Sequence, residues 1–122
     1  MFIEVLVKDQ IEGGLAVLEA LRAEGFPVEA AFWCRLPDRD YWKMVIASDY
    51  VSQFGPLNAY QRVRSILERR PVAGVSPSDI MLYSPNDPAY VRLREYALGP
   101  GQFGIGPSER HNMFQDAYLY SV

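Results

Sequence analysis

The residues best equipped for chemistry gather near the C-terminal end, in GPGQFGIGPSERHNMFQD, residues 99–116. His111 is the single histidine of the chain and Cys34 the single cysteine. One histidine excludes a multi-histidine metal site, and one cysteine excludes an internal disulfide and argues against a thiolate zinc site. What remains for nucleophilic chemistry is a Cys34–His111 or Ser108–His111 pair. Cys34 falls in the middle of a strand-like apolar run, where a thiol behaves as a small hydrophobe. Ser108 and His111 are three positions apart in a loop, which is not by itself a catalytic arrangement. No catalytic residue is nominated on these grounds.

Binding chemistry fits this segment better than catalysis. Gly99, Gly101, Gly104 and Gly106 free the backbone for turns, and successive exposed amides in such turns can form an anion nest. Ser108, Arg110, His111 and Asn112 would add donors and positive charge, so they are the candidate ligand-binding residues, for a small anionic molecule. Glu109 and Asp116 flank His111, but three scattered ligand types make a weak metal signal, and no metal or cofactor is expected. Asp38 and Asp40 sit around Arg39 in a turn, without the burial that shifts a carboxyl pKa for acid–base work. Gly13-Gly14 in the first helix has neither phosphate-loop spacing nor a cationic partner. Asp9 and Glu12 beside it would repel an anion, so close backbone packing is the expected role.

These residues need elements to position them, and the most informative stretch is 28–50. Two apolar runs, Val28–Leu36 and Tyr41–Val51, flank Pro37-Asp38-Arg39-Asp40, a four-residue hairpin loop. That loop pairs Leu36 with Tyr41. It therefore sets Arg35 opposite Trp42, Cys34 opposite Lys43, Trp33 opposite Met44, Phe32 opposite Val45 and Ala31 opposite Ile46. Alternation puts Val28, Ala30, Phe32, Cys34, Leu36, Tyr41, Val45 and Ala47 on one face, with Lys43 as the exception, and Ala31, Trp33, Trp42, Met44, Ile46 and Tyr50 on the other, with Glu29 and Arg35 nearer its ends. Both faces are apolar, whereas a sheet with one face in water alternates cleanly. Each face therefore needs a lid. Helices and the C-terminal segment could supply both. Alternatively a second copy covers one face, with Trp33, Arg35, Trp42 and Met44 as its interface residues.

The remaining chain supplies the other elements. Phe2–Lys8 reads as a strand. A helix follows from Asp9 or Gln10 to about Glu24, with Ile11, Leu15, Leu18 and Leu21 on its apolar stripe and Gly25 as its stop. Ser52–Pro56 reads as a turn. A second helix spans about Leu57–Arg70, with Tyr60, Val63 and Leu67 inward and Arg62, Arg64, Arg69 and Arg70 making it basic. Those arginines could meet an acidic partner, or serve as solvated surface that suits the helix dipole. Asp79–Ser84 reads as a short strand, Asp87-Pro88 caps and opens a third helix ending near Leu98, and Ala117–Val122 closes as a strand.

The order is β-α-β-β-α-β plus a C-terminal helix and short strand. This predicts one α+β domain over residues 1–122 with a ferredoxin-like core. The length of 122 residues suits a single domain that folds without staples. A net charge of −3 argues against general nucleic-acid binding. The N-terminus lacks a basic leader and no apolar run reaches membrane-spanning length, which points to a soluble, cytoplasmic protein. With aromatics at 13% of residues, a type enriched at interfaces, the leading expectation is a non-enzymatic domain that self-associates as a homo-oligomer through a sheet face. The second is a small-molecule binder or enzyme using the glycine loop with Arg110 and His111, assisted by an arginine of the second helix.

Overall fold

The computed structural model describes residues 8–35, 42–98, 113–114 and 117–121. They form a small α+β fold with a mixed sheet. The order is α1 (Lys8–Ala23), β1 (Ala30–Arg35), β2 (Trp42–Ala47), α2 (Asp49–Phe54), α3 (Pro56–Arg69), β3 (Ile80–Tyr83), α4 (Pro88–Leu98), β4 (Met113–Phe114) and β5 (Ala117–Ser121). A 3-10 turn, Pro77–Asp79, leads into β3.

The hairpin has the register expected from its loop length. Ala31 faces Ile46, Phe32 faces Val45, Trp33 faces Met44, Cys34 faces Lys43 and Arg35 faces Trp42. The turn itself, Pro37–Asp40, lies outside the described residues, as does the strand expected at residues 2–7. Lys8, placed at the end of that strand by the sequence, opens α1 instead.

The strand order is β3-β2-β1-β5-β4, which departs from the ferredoxin-like expectation. That layout puts a strand from residues 2–8 between the segments 41–51 and 79–84. Here β2 and β3 pair directly and in parallel, Met44 opposite Ile80 and Ala47 opposite Tyr83. α2 and α3 form the crossover that a parallel pair requires. The C-terminal strand does not cover a sheet face either. β5 extends the sheet beside β1, antiparallel to it, with a register shift between Ala31 and Phe32. Ala31 pairs with Ser121 and Phe32 with Leu119, so Tyr120 is the extra residue of a β-bulge.

Both apolar faces have lids from the chain itself. Ala31, Trp33, Trp42, Met44 and Ile46 pack against Val17, Leu18 and Leu21 of α1 and Val63 and Ile66 of α3. Ala30, Phe32, Cys34, Val45 and Ala47 pack under α4 through Tyr90, with Val91 and Leu93 against them. Tyr90 lies 6.4 Å from Phe32 and 6.2 Å from Tyr83, ring centre to ring centre. Burial pushes the Tyr90 and Tyr83 hydroxyls above their ordinary pKa.

The inward side of α1 differs from the expected stripe. Leu15, assigned to the core, is 49% exposed, while Gly13, Gly14 and Val17 are buried. The reason is a close approach on the glycine side. A side chain at Gly13 would meet the carbonyl oxygen of Ala73 and the side chain of Val75. One at Gly14 would collide with the Tyr120 hydroxyl and the Trp33 indole nitrogen. Those two groups are bonded to each other: Trp33 Nε1 donates to Tyr120 Oη at 2.8 Å, and Tyr120 Oη donates to the Ile11 carbonyl at 2.5 Å. One phenol thus ties the C-terminal strand to both the central strand and the first helix, and the glycine leaves it room.

The turn into the second layer of helices is sharp. The segment after β2, expected to be a turn from Ser52, is a short helix. Ser48 is its N-cap, accepting from Tyr50 N at 3.1 Å and donating to the Pro27 carbonyl at 2.6 Å. Gly55 then ends α2 with φ +87°, a left-handed angle that favours glycine, and Pro56 opens α3 at its first turn.

Candidate functional site

Ser108, Arg110, His111 and Asn112 lie outside the described residues, together with the glycine loop that carries them. Cys34 is fully buried in β1. Trp33 and Met44 are each 0% exposed and Trp42 is 6% exposed, all beneath α1 and α3. The sheet face they occupy is the interior of the fold, so these three side chains present nothing to a second copy. Arg35 stands at the half-buried end of β1, opposite Trp42.

The exposed apolar surface lies elsewhere. Among the described residues the large hydrophobic side chains left in solvent are Leu15, Phe54, Leu57 and Tyr60. Three of them lie between residues 54 and 60, around the Gly55-Pro56 turn that joins α2 to α3. Phe54 is 52% exposed and Leu57 is 70% exposed. Tyr60 was expected in the inner stripe of its helix. Its ring instead sits at the surface, while its hydroxyl accepts from Leu82 N at 2.9 Å. Ser48 N donates to the Tyr83 carbonyl, so Tyr83 faces β2 and its neighbour Leu82 faces the side away from it, where β3 is the last strand among the described residues. Tyr60 therefore occupies a donor that an edge strand would otherwise offer to another strand.

This corner is held from beneath. The Glu29 carboxylate accepts from Asp49 N at 2.9 Å, fixing the start of α2. Partial burial, followed by the proximity of Asp49, raises the Glu29 pKa above its ordinary value. The Tyr50 ring stacks on buried Phe26 at 5.0 Å, and Phe54 leans on Tyr50 at 4.6 Å. Asn58 Nδ2 donates to the Phe54 carbonyl at 2.8 Å. Tyr50, Phe54, Asn58, Gln61 and Arg62 together line an open hollow of about 300 Å³.

Arg62 also belongs to a charge cluster around Glu24. The Glu24 carboxylate takes Arg69 Nη2 at 2.7 Å and Arg70 Nε at 3.0 Å, with Arg62 Nη2 at 4.0 Å. The hydrogen bonds from Arg69 and Arg70 hold the Glu24 carboxyl below its ordinary pKa. Three of the four arginines that make α3 basic thus converge on one glutamate from the end of α1. Arg64 pairs with Glu68 at 3.7 Å on the exposed face.

A second hollow of about 320 Å³ lies between the start of α1 and the loop before β3, lined by Asp9, Glu12, Gly13, Ala16 and Pro71–Gly74. It is the space left where that loop crosses the glycines of α1, with Gly74 at φ +88° over the Asp9 carbonyl. Among the described residues no group of three His, Cys, Asp or Glu side chains could hold a metal ion. Nor is any described helix long and apolar enough to cross a membrane. The α2–α3 corner is therefore the place where the described surface is chemically distinctive: aromatic and aliphatic side chains in solvent, edged by amides and a fixed guanidinium. Comparison with protein-family models, with curated proteins and with solved structures finds no match for this chain.

Proposed function

We propose that this chain works by association, pairing with a second copy of itself through the α2–α3 corner. The observation that carries this reading is the exposure of Phe54, Leu57 and Tyr60 together around one turn. A hydrophobic patch edged by polar groups is the ordinary mark of a contact surface. The sheet face first favoured for this role is closed by α1 and α3, so the association reading moves to the outside of those lids.

The charges on the Leu57 side of α3 favour a like partner. Leu57, Gln61, Arg64 and Glu68 recur at helical spacing on one face. Arg64 and Glu68 pair with each other at 3.7 Å, so this face is neutral on balance. Two copies brought together about a two-fold axis would set Leu57 and Phe54 against themselves, without opposing uncompensated like charge. Gln61 and Asn58 can each donate and accept, which suits a self-complementary rim. The patch is small beside a stable interface, which buries about 1,600 Å² in total, so the pair is weak and reversible.

Sedimentation velocity from low micromolar to millimolar concentration tests this. The wild-type chain should show a concentration-dependent rise in weight-average sedimentation coefficient, and Leu57→Asp should abolish it. Leu57 is 70% exposed, so the substitution leaves the fold intact. A wild-type chain that stays monomeric over the whole range would remove the reading.

A further inference from the structure

The hollow beside this corner has a different chemistry from the apolar patch. It is lined by the Tyr50–Phe54 ring pair together with Asn58, Gln61 and Arg62. We infer that it binds a small planar aromatic molecule bearing a carboxylate, the ring lying on Phe54 and Tyr50 and the acid meeting Arg62.

Glu24 is shared among three arginines. Three guanidinium groups face one carboxylate, a local excess of positive charge in a chain whose net charge is −3. Arg69 and Arg70 take the carboxylate at hydrogen-bond distance, 2.7 and 3.0 Å. Arg62 stands 4.0 Å away from it, and is held instead by the uncharged Glu24 carbonyl, to which its Nη2 donates at 3.1 Å. Arg62 is thus positioned by the carbonyl and has the longest of the three ion pairs to the shared carboxylate. Its side chain keeps 34% of its surface in solvent, and its planar fork matches a carboxylate. A cation fixed before binding loses less freedom on binding than a mobile one.

The rings supply the other half of the recognition. Phe54 is fixed by its contact with Tyr50, which is fixed in turn by Phe26. Asn58 Nδ2 donates to the Phe54 carbonyl, which anchors that side chain beside the ring. A volume of about 300 Å³ is at the low end for ligand sites. It suits one or two fused rings with a short acidic arm and is too small for a nucleotide. The cluster at Glu24 also marks the C-terminal ends of α1 and α3, whose dipoles suit the arginines. That accounts for Arg69 and Arg70 at the helix end; Arg62, two turns earlier in α3, lines the hollow.

The test is a titration of the ¹⁵N-labelled chain with indole-3-acetate, and in parallel with indole-3-acetamide, which keeps the ring and loses the charge. It is run on the Leu57→Asp variant, so a failure of self-association does not affect the outcome. Indole-3-acetate should shift the backbone amides of Tyr50, Phe54 and Arg62 and the side-chain amides of Asn58 and Gln61. It should bind about tenfold or more tightly than the acetamide, the factor expected from one charged hydrogen-bonded contact. Arg62→Gln should level the two affinities, while Arg64→Gln leaves the preference intact. Equal affinity for acid and amide, shifts centred elsewhere, or no shifts at saturating indole-3-acetate would overturn the inference. The acid–amide comparison stands on its own if Arg62→Gln loses amide dispersion.

Discussion

Tyr120→Phe isolates a single oxygen on which three elements converge. Tyr120 Oη accepts from Trp33 Nε1 at 2.8 Å and donates to the Ile11 carbonyl at 2.5 Å. Phenylalanine keeps the ring and its packing, so the change leaves no cavity of consequence. It does leave the indole N–H of Trp33, a residue 0% exposed, with its donor unmet in the core. An orphaned buried polar group costs about 1–3 kcal/mol. The Ile11 carbonyl sits within α1 and loses less. The expected loss is therefore about 1–3 kcal/mol, a fall in melting temperature of about 4 °C per kcal/mol for a chain of this size. Urea unfolding followed by tryptophan fluorescence reads it directly. The Gly14 position supplies a cross-check. Gly14→Ala gains about 1 kcal/mol of helix propensity but places a methyl on the Tyr120 hydroxyl, an overpacking that costs about 1–3 kcal/mol. That cost should shrink when the hydroxyl is absent, so the two substitutions should be non-additive. An unchanged urea midpoint for Tyr120→Phe, or strict additivity with Gly14→Ala, would refute the role assigned to this phenol.

Other consequences follow from the same geometry. Arg69 and Arg70 hold the Glu24 pKa below its ordinary 4.5. The folded value lies under the unfolded one, so this contribution to stability is complete above pH 4.5 and is lost as pH falls through the folded pKa. Acid titrations of stability should show a shallower loss below pH 4.5 for Glu24→Gln than for wild type. Tyr60→Phe should cost about 0.5–1.5 kcal/mol and free the Leu82 N–H at the outer edge of β3. Its signature is faster aggregation on mild heating, measured by light scattering. Cys34 is fully buried. A thiol reagent should therefore label the native chain no faster than the chain unfolds, and a rapid native-state reaction would contradict the packing beneath α4.

Local structure was readable from the sequence where a short-range rule governed it. The four-residue loop set the hairpin register, and alternation sorted Trp33 with Met44 and Phe32 with Val45 onto their respective faces. Asp87-Pro88 marked the start of α4, which runs to Leu98 as expected. α2 was missed because Tyr50 and Val51 continue the apolar run of β2, and the capping signal Ser48-Asp49 was absorbed into it. Strand order was not readable at all. Whether β3 pairs with β2 or with another strand depends on contacts some 36 residues apart, for which no local pattern exists. Close packing at Gly13-Gly14 is legible in α1, but hydrophobicity alone puts Leu15 in the core stripe and gives no sign of what meets Gly14. Gly14 is buried against Tyr120, which comes from the other end of the chain. The candidate site followed the same division. Leu57 falls off the inner stripe of its helix and so could have been picked out as exposed, whereas the convergence of Arg62, Arg69 and Arg70 on Glu24 requires α1 and α3 to be placed first.

Self-association through the α2–α3 corner is tested most directly by amide spectra recorded across a dilution series. The resonances of Phe54, Leu57 and Tyr60 should move progressively with concentration while those of Leu15 and the rest of α1 stay fixed. Spectra that do not change with concentration, or changes centred on another surface, would contradict it.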